Sequence, residues 1–182
     1  MKKSYKGKLL IATPDISGDI FSRSVILIAE HNDNGAFGLM LNKINIETSI
    51  LLKEKINHSI KIFEGGPMEN NKIFAIVKGN PVTDFFISID NNYYLTEDIE
   101  NIIIALIQGI ITENDVKFFS GYSGWGPMQL DTEMKENFWI VAESYQLDYT
   151  TTETDNLWKR IMQNLGGKNL IWANAPHDIS LN

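Results

Sequence analysis

The run Gly121-Tyr122-Ser123-Gly124-Trp125 is the first place to look for chemistry, because a serine held between glycines can present its hydroxyl as a nucleophile. That use requires the spacing G-x-S-x-G, a strand leading in, a helix leading out, and a histidine to take the proton. Here the fifth position is Trp125, and only His31, His58 and His177 could serve as the base. The run therefore reads as a tight turn between a strand and a short helix, bent at its glycines and anchored by the large apolar side chain of Trp125. No catalytic residue is assigned.

His31 stands beside Glu30 and Asp33, the residue types that bind metals, but neighbours in one loop do not converge on a point as ligands from separate elements do. No metal and no cofactor are expected, and His31 reads as a hydrogen-bonding residue that organises its turn. An acid–base pair of His31 with Glu64 or Glu133 is the enzymatic alternative. Gly65-Gly66-Pro67 could leave backbone N–H groups free for an anion, yet Pro67 removes one donor and a plain turn is the expected role. Gly35 and Gly38 lack the spacing that fits a dinucleotide to a helix start. Arg23 and Lys43 flank the first hairpin, where either could fix a carboxylate or phosphate or simply form a surface ion pair.

These residues need a scaffold, and the composition supplies one. The chain has 182 residues, 43% hydrophobic and 21% charged, which is enough apolar material for one globular domain. There is no cysteine, so disulfides and thiolate chemistry are excluded. The net charge of -7 disfavours phosphate backbones, which makes direct DNA-binding regulation the weaker alternative. Lys2, Lys3, Lys6 and Lys8 form a local cationic start, read as a solvated end. The apolar run Leu9 to Ala12 is too short for a signal peptide and is broken by Pro14, and Ile102 to Ile107 is too short to span a bilayer. A cytoplasmic protein without a membrane segment is expected.

Strands are expected at 8–12, 25–30 and 37–41, with the polar run His31 to Gly35 turning the second into the third. A short helix is expected over 47–54, then strands at 60–63, 73–77 and 85–89. Thr96 reads as the N-cap of a helix running to about residue 112, and its Ile102 to Ile107 stretch is apolar enough to predict burial on both sides. A strand at 116–120, a helix at 129–136, a strand at 138–142 and a helix at 153–165 ending at Gly166-Gly167 complete the pattern. Consecutive strands with later helices indicate an α+β or mixed α/β fold in one domain, with a core over about 7–166 and a C-terminal tail at 167–182. Trp125, Trp139, Trp158 and Trp172 fall one to an element, as core anchors do.

Taken together, Gly7 to Pro14, Phe21 to His31, Gly35 to Asn42, Gly65-Gly66-Pro67 and Gly121 to Glu133 resemble, in order and spacing, the AlgH/YqgE family of bacterial proteins. The resemblance implies a split, barrel-like, mostly antiparallel sheet packed with helices. It also implies a regulatory role, since members were linked to control of exopolysaccharide synthesis and many are labelled transcriptional regulators. Arg23, His31, Asn42, Gly65, Gly66, Trp125 and Gln129 become the candidate ligand-binding residues of a non-enzymatic regulatory or adaptor domain that takes a protein or a small molecule. Met128, where the family often has a small residue, and Ile44, where it often has proline, are the local departures.

Overall fold

A computed structural model describes residues 4–16, 20–50, 60–143 and 145–175. In chain order the strands are β1 (Leu9–Ala12), β2 (Val25–Asn32), β3 (Gly35–Met40), β4 (Ile62–Glu64), β5 (Met68–Lys78), β6 (Ile87–Ser88), β7 (Tyr93–Thr96), β8 (Val116–Trp125) and β9 (Trp139–Val141). The helices are α1 (Ile99–Ile107), α2 (Gln129–Lys135), α3 (Leu157–Leu165) and α4 (Asn169–Asn174).

The strands run in the order β6-β7-β5-β8-β3-β2-β1-β9, with β4 attached to β8. Every pairing is antiparallel except β4 with β8. β8 is the shared spine. Its first part pairs with β5 and β4, and its last three residues pair with β3. The sheet is thus split into two halves that curl around one interior and stay open between β6 and β9.

Alternation of side chains along each strand sorts the apolar residues into layers. Leu9, Ile11, Val25 and Leu27 from one half meet Phe74, Ile76 and Phe119 from the other in the central cluster, which α3 covers with Leu157, Trp158, Ile161 and Met162. Leu10, Ala12, Ile26 and Ile28 face the opposite way, against Trp125, Trp139 and Leu130 of α2. Ile62, Ala75, Val77 and Phe118 face α1 through Ile102 and Ala105. Strands covered on both faces are why β1 and β2 read as unbroken apolar runs. Each fully buried Leu, Ile or Phe contributes roughly 1.5–3 kcal/mol of transfer free energy.

The split, barrel-like, mostly antiparallel fold agrees with the expectation from sequence, and several local readings need correction. The Gly121 run is not a strand-to-helix turn: β8 continues through it to Trp125. The helix at 96–112 is shorter, because Thr96 ends β7, Asp98 caps α1 by accepting from the Asn101 amide, and Gly109 adopts a left-handed φ of 68° just past the helix end. α1 is also not buried all round: Ile102 and Ala105 face the sheet, while Ile104 and Ile107 are 41% and 78% exposed. Expected strand 85–89 shrinks to the exposed pair Ile87–Ser88, and the neighbouring strand β7 had no counterpart in the sequence reading. Residues 46–50 are helical, and the rest of the helix expected at 47–54 lies outside the described residues.

Candidate functional site

The residues singled out by motif fall into three separate groups, and each is engaged in holding the fold. At the centre of β8, Gly121 has φ 67°, a left-handed conformation that lets the strand change partners. A Cβ at Gly121 would come within 2.6 Å of the Gly66 carbonyl oxygen, one at Gly65 within 2.2 Å of the Gly121 oxygen, and one at Gly66 within 2.3 Å of the Tyr122 backbone. The Gly65-Gly66 segment is therefore pressed onto β8 where only glycine fits. The Gly65 N–H donates to the Ser120 carbonyl at 2.9 Å, so it is not presented to an anion. Ser123, fully buried, donates its hydroxyl to the Gly65 carbonyl at 2.9 Å. It acts as a rivet between segments, away from any surface where a nucleophile could work.

The second group lies on the α2 face. The Glu133 carboxylate accepts from the indole N–H groups of Trp125 and Trp139, both at 2.7 Å, and from the Gln129 amide at 2.9 Å. Gln129 in turn accepts from the Gly126 N–H at 3.0 Å, closing the turn before α2. Phe21 stacks on Trp125 and meets Trp139 edge-on. On the same face His31 accepts from the Tyr5 N–H through Nδ1 at 3.0 Å, stacks on the Tyr5 ring, and turns Nε2 toward Asp131 at 3.9 Å. Its role is to hold the N-terminal segment, whereas the hairpin turn is organised by Asn32, whose Oδ1 accepts from the Asn34 N–H. The carboxylate that His31 faces is Asp131, while both Glu133 oxygens already accept hydrogen bonds. Because two buried indoles donate to one group, Glu133→Ala is expected to cost about 3 kcal/mol by orphaning both, with Glu133→Gln losing less. Urea titration followed by tryptophan emission checks both values.

Arg23 and Asn42 form the third group. Arg23 donates to the Ala175 carbonyl at 2.7 Å, and its guanidinium lies 5.0 Å from the centre of the Trp158 ring. Asn42 accepts from the Val25 N–H at 2.8 Å and donates to the Arg23 carbonyl at 3.0 Å, fixing the entry to β2 around a left-handed Arg23. Lys43 donates to the Ile20 carbonyl.

Lys117, which the sequence reading passed over, is the most unusual polar residue. It sits on β8 between Val116 and Phe118, is 1% exposed, and donates to the carbonyls of Leu41 at 2.8 Å and Thr151 at 2.7 Å. Its ammonium lies 3.8 Å from the Phe63 ring centre. Burial lowers its pKa from 10.5 to about 7, assisted by Lys61 and opposed by Asp148. The sequence offered one weak signal, a lysine between apolar neighbours, which fits an edge position equally well.

Beside Lys117 opens a cavity of about 1030 Å³, between α1 and the segment 148–153. Ile103, Leu106 and Ile107 of α1 form its apolar wall, with Ile111, Val116 and Phe118 continuing it. The opposite wall is held in place by four hydrogen bonds. Thr151 accepts from Lys117, the Thr150 hydroxyl donates to the Asn114 carbonyl at 2.7 Å, and Asp148 accepts from Lys78 at 2.7 Å and from Tyr93 at 3.1 Å. Burial raises the Asp148 pKa, but the hydrogen bonds from Lys78, Thr150 and Tyr93 outweigh it and hold the carboxyl at about 2. None of the seven motif residues lines this cavity.

Among the described residues no group of three or more His, Cys, Asp or Glu is placed to hold a metal ion, and no helix is long and apolar enough to cross a membrane.

Comparison with known proteins agrees with the architecture. A family model described as AlgH-like matches residues 9–170. A protein of Cytophaga hutchinsonii is 33% identical over 179 residues, covering 97% of this chain and 98% of that one, and one of Chlamydia muridarum is 36% identical over 184 residues, covering 97% and 95%. Both carry the name UPF0301 protein, which states no activity. The solution structure of the AlgH protein from Pseudomonas aeruginosa superposes with a TM-score of 0.70 at 22% identity, covering 98% of this chain and all of that one. A crystal structure from Corynebacterium diphtheriae gives 0.74 at 20% identity, covering 96% and 94%. These likenesses extend over nearly the whole chain, and the protein belongs to the AlgH-like family.

Proposed function

We propose that this protein is a non-enzymatic adaptor domain that acts by binding another protein, and that its binding surface is the outer face of α1 with the adjoining cavity. The observation that carries this reading is the exposure of Ile104 and Ile107, extended beyond the helix by Ile110 at 63%, beside a preformed cavity of about 1030 Å³. Contiguous apolar side chains held in water mark interaction surfaces, because covering them recovers the transfer free energy that folding left unused. An influence on transcription would then pass through the partner, which suits a chain whose charge repels nucleic acid.

The motif residues support this function from a distance: Gly65, Gly66 and Gly121 shape β8, and β8 carries Val116 and Phe118 into the cavity wall. Affinity capture from a lysate of the source cells tests the reading. A partner enriched by the wild type is expected to disappear with Ile107→Glu and to persist with His31→Ala. Unchanged capture by Ile107→Glu overturns this placement, and loss with His31→Ala or Arg23→Ala alone moves the interface to the motif surface.

A further inference from the structure

The chemistry around the α1 cavity narrows what can bind there. Along α1, Glu100 precedes the adjacent Ile103 and Ile104 by three and four residues, Ile107 follows them by four and three, and all four share one side of the helix. That places an exposed acid at the helix start of the apolar ridge. At the other end, past the turn at Gly109, comes Glu113, and across the cavity stands Glu153, both exposed and both lining it. Asp148 lines the same wall, already held by Lys78. Lys61 lines the cavity too, and Lys117 is turned inward onto two carbonyls. The cavity rim thus carries two exposed carboxylates without a lysine partner among the described residues, Glu113 and Glu153, against one exposed cation, Lys61, and Glu100 adds a third carboxylate at the start of the apolar ridge, on a chain of net charge -7.

We infer that the occupant is a helical segment of another protein whose apolar stripe is flanked by lysine or arginine. This rests on the adaptor reading above and adds the partner's chemistry. A ridge of isoleucines along one helix accepts side chains spaced as on a second helix, the geometry by which amphipathic helices enter grooves. The carboxylates select the flanks: opposite charge at the rim speeds encounter and fixes orientation, and like charge is repelled. The same repulsion opposes pairing of this face with a second copy of the chain. Because hydrogen bonds to Lys117, Asn114 and Lys78 already hold the 148–153 wall, little ordering is left for binding to impose.

Two fluorescein-labelled synthetic peptides of about five helical turns test this with the full chain by fluorescence anisotropy. Both carry leucine at helical spacing, one flanked by lysine and the other by glutamate. The lysine peptide is expected to bind at least tenfold more tightly. Ile107→Ser weakens it at least fivefold, and the pair Glu113→Lys with Glu153→Lys reverses the preference between the peptides. Glu136→Lys, at the end of α2, leaves both affinities unchanged and separates a local rim from general charge attraction. Equal binding of both peptides, with loss in Ile107→Ser, overturns the basic partner while leaving the docking surface standing. Binding of neither peptide overturns the helix occupant. Nile red binding that depends on Ile107, with neither peptide bound, puts a small apolar ligand in its place and takes the protein-docking reading down as well. A concentration-dependent dimer in sedimentation velocity that Ile107→Ser dissociates assigns the face to a second copy and overturns the proposal.

Discussion

Alanine at Gly65 or Gly121 is expected to abolish cooperative folding, whereas alanine at Gly109 leaves a folded protein. At Gly65 the new methyl would stand 2.2 Å from the Gly121 carbonyl oxygen and 2.7 Å from the Leu39 side chain. At Gly121 it meets the oxygens of Gly66 and Met68 at 2.6 and 2.7 Å, and the left-handed φ adds its own penalty. Most of these obstacles are backbone atoms inside the sheet, so relief requires β8 to part from the Gly65-Gly66 segment. That parting breaks the bond from the Ser123 hydroxyl to the Gly65 carbonyl and the bond from the Gly65 N–H to the Ser120 carbonyl. The loss is expected to exceed about 5 kcal/mol, the lower end of a typical total of about 5–15 kcal/mol, and a domain near that end then retains little native population. Gly109 shares the left-handed φ but has nothing within 4 Å of its Cβ position, so only the conformational cost of about 1 kcal/mol remains. Urea unfolding followed by circular dichroism distinguishes these outcomes. A cooperative transition near the wild-type midpoint for Gly65→Ala would show that β8 and the 65–66 segment are not packed as described.

Stability is also expected to rise with pH above neutrality, and Lys117 is the cause. In the unfolded chain its amine titrates near 10.5, and in the folded protein burial brings it to about 7. Between those values the unfolded state holds more protons, so raising the pH favours the folded state. Below about pH 7 both states are charged, and the full cost of burying the ammonium is present. From about pH 7 to about pH 9 the gain amounts to roughly 2 kcal/mol. Lys117→Met removes the titrating group, so the difference in unfolding free energy between wild type and variant is expected to shift toward the wild type by that amount over this range. A difference that stays flat with pH would mean that the two carbonyls and the Phe63 ring hold the ammonium charged throughout.

Both expectations come from β8, the strand least well read from the sequence. Its glycine-rich second half resembled a turn because two glycines and a serine in five residues are turn residues by local preference. In the fold they serve the close approach of Gly65-Gly66, a contact between segments more than fifty residues apart that no local signal announces. Lys117 was overlooked for a related reason. One lysine in an apolar strand looks like an edge residue, and only the packing of Phe63, Leu41 and Thr151 around it shows otherwise. The isoleucine run of α1 misled in the opposite sense. Its composition resembled a helix buried on two sides, yet the sheet covers only the face of Ile102 and Ala105.

By itself the sequence determined the fold class, the early strands, most of the helices expected at 129–136 and 153–165, and the family, because these rest on short-range periodicity, capping residues and ordered motifs carried by neighbours in the chain, whereas α4 at Asn169–Asn174 falls in the stretch read as a tail. The tertiary structure alone decided which segments the motif residues hydrogen-bond or pack against, that Lys117 is buried, and that α1 leaves an apolar face near exposed carboxylates. Those properties depend on which distant segments meet, and exposure and charge environment are set by that meeting and not by residue type.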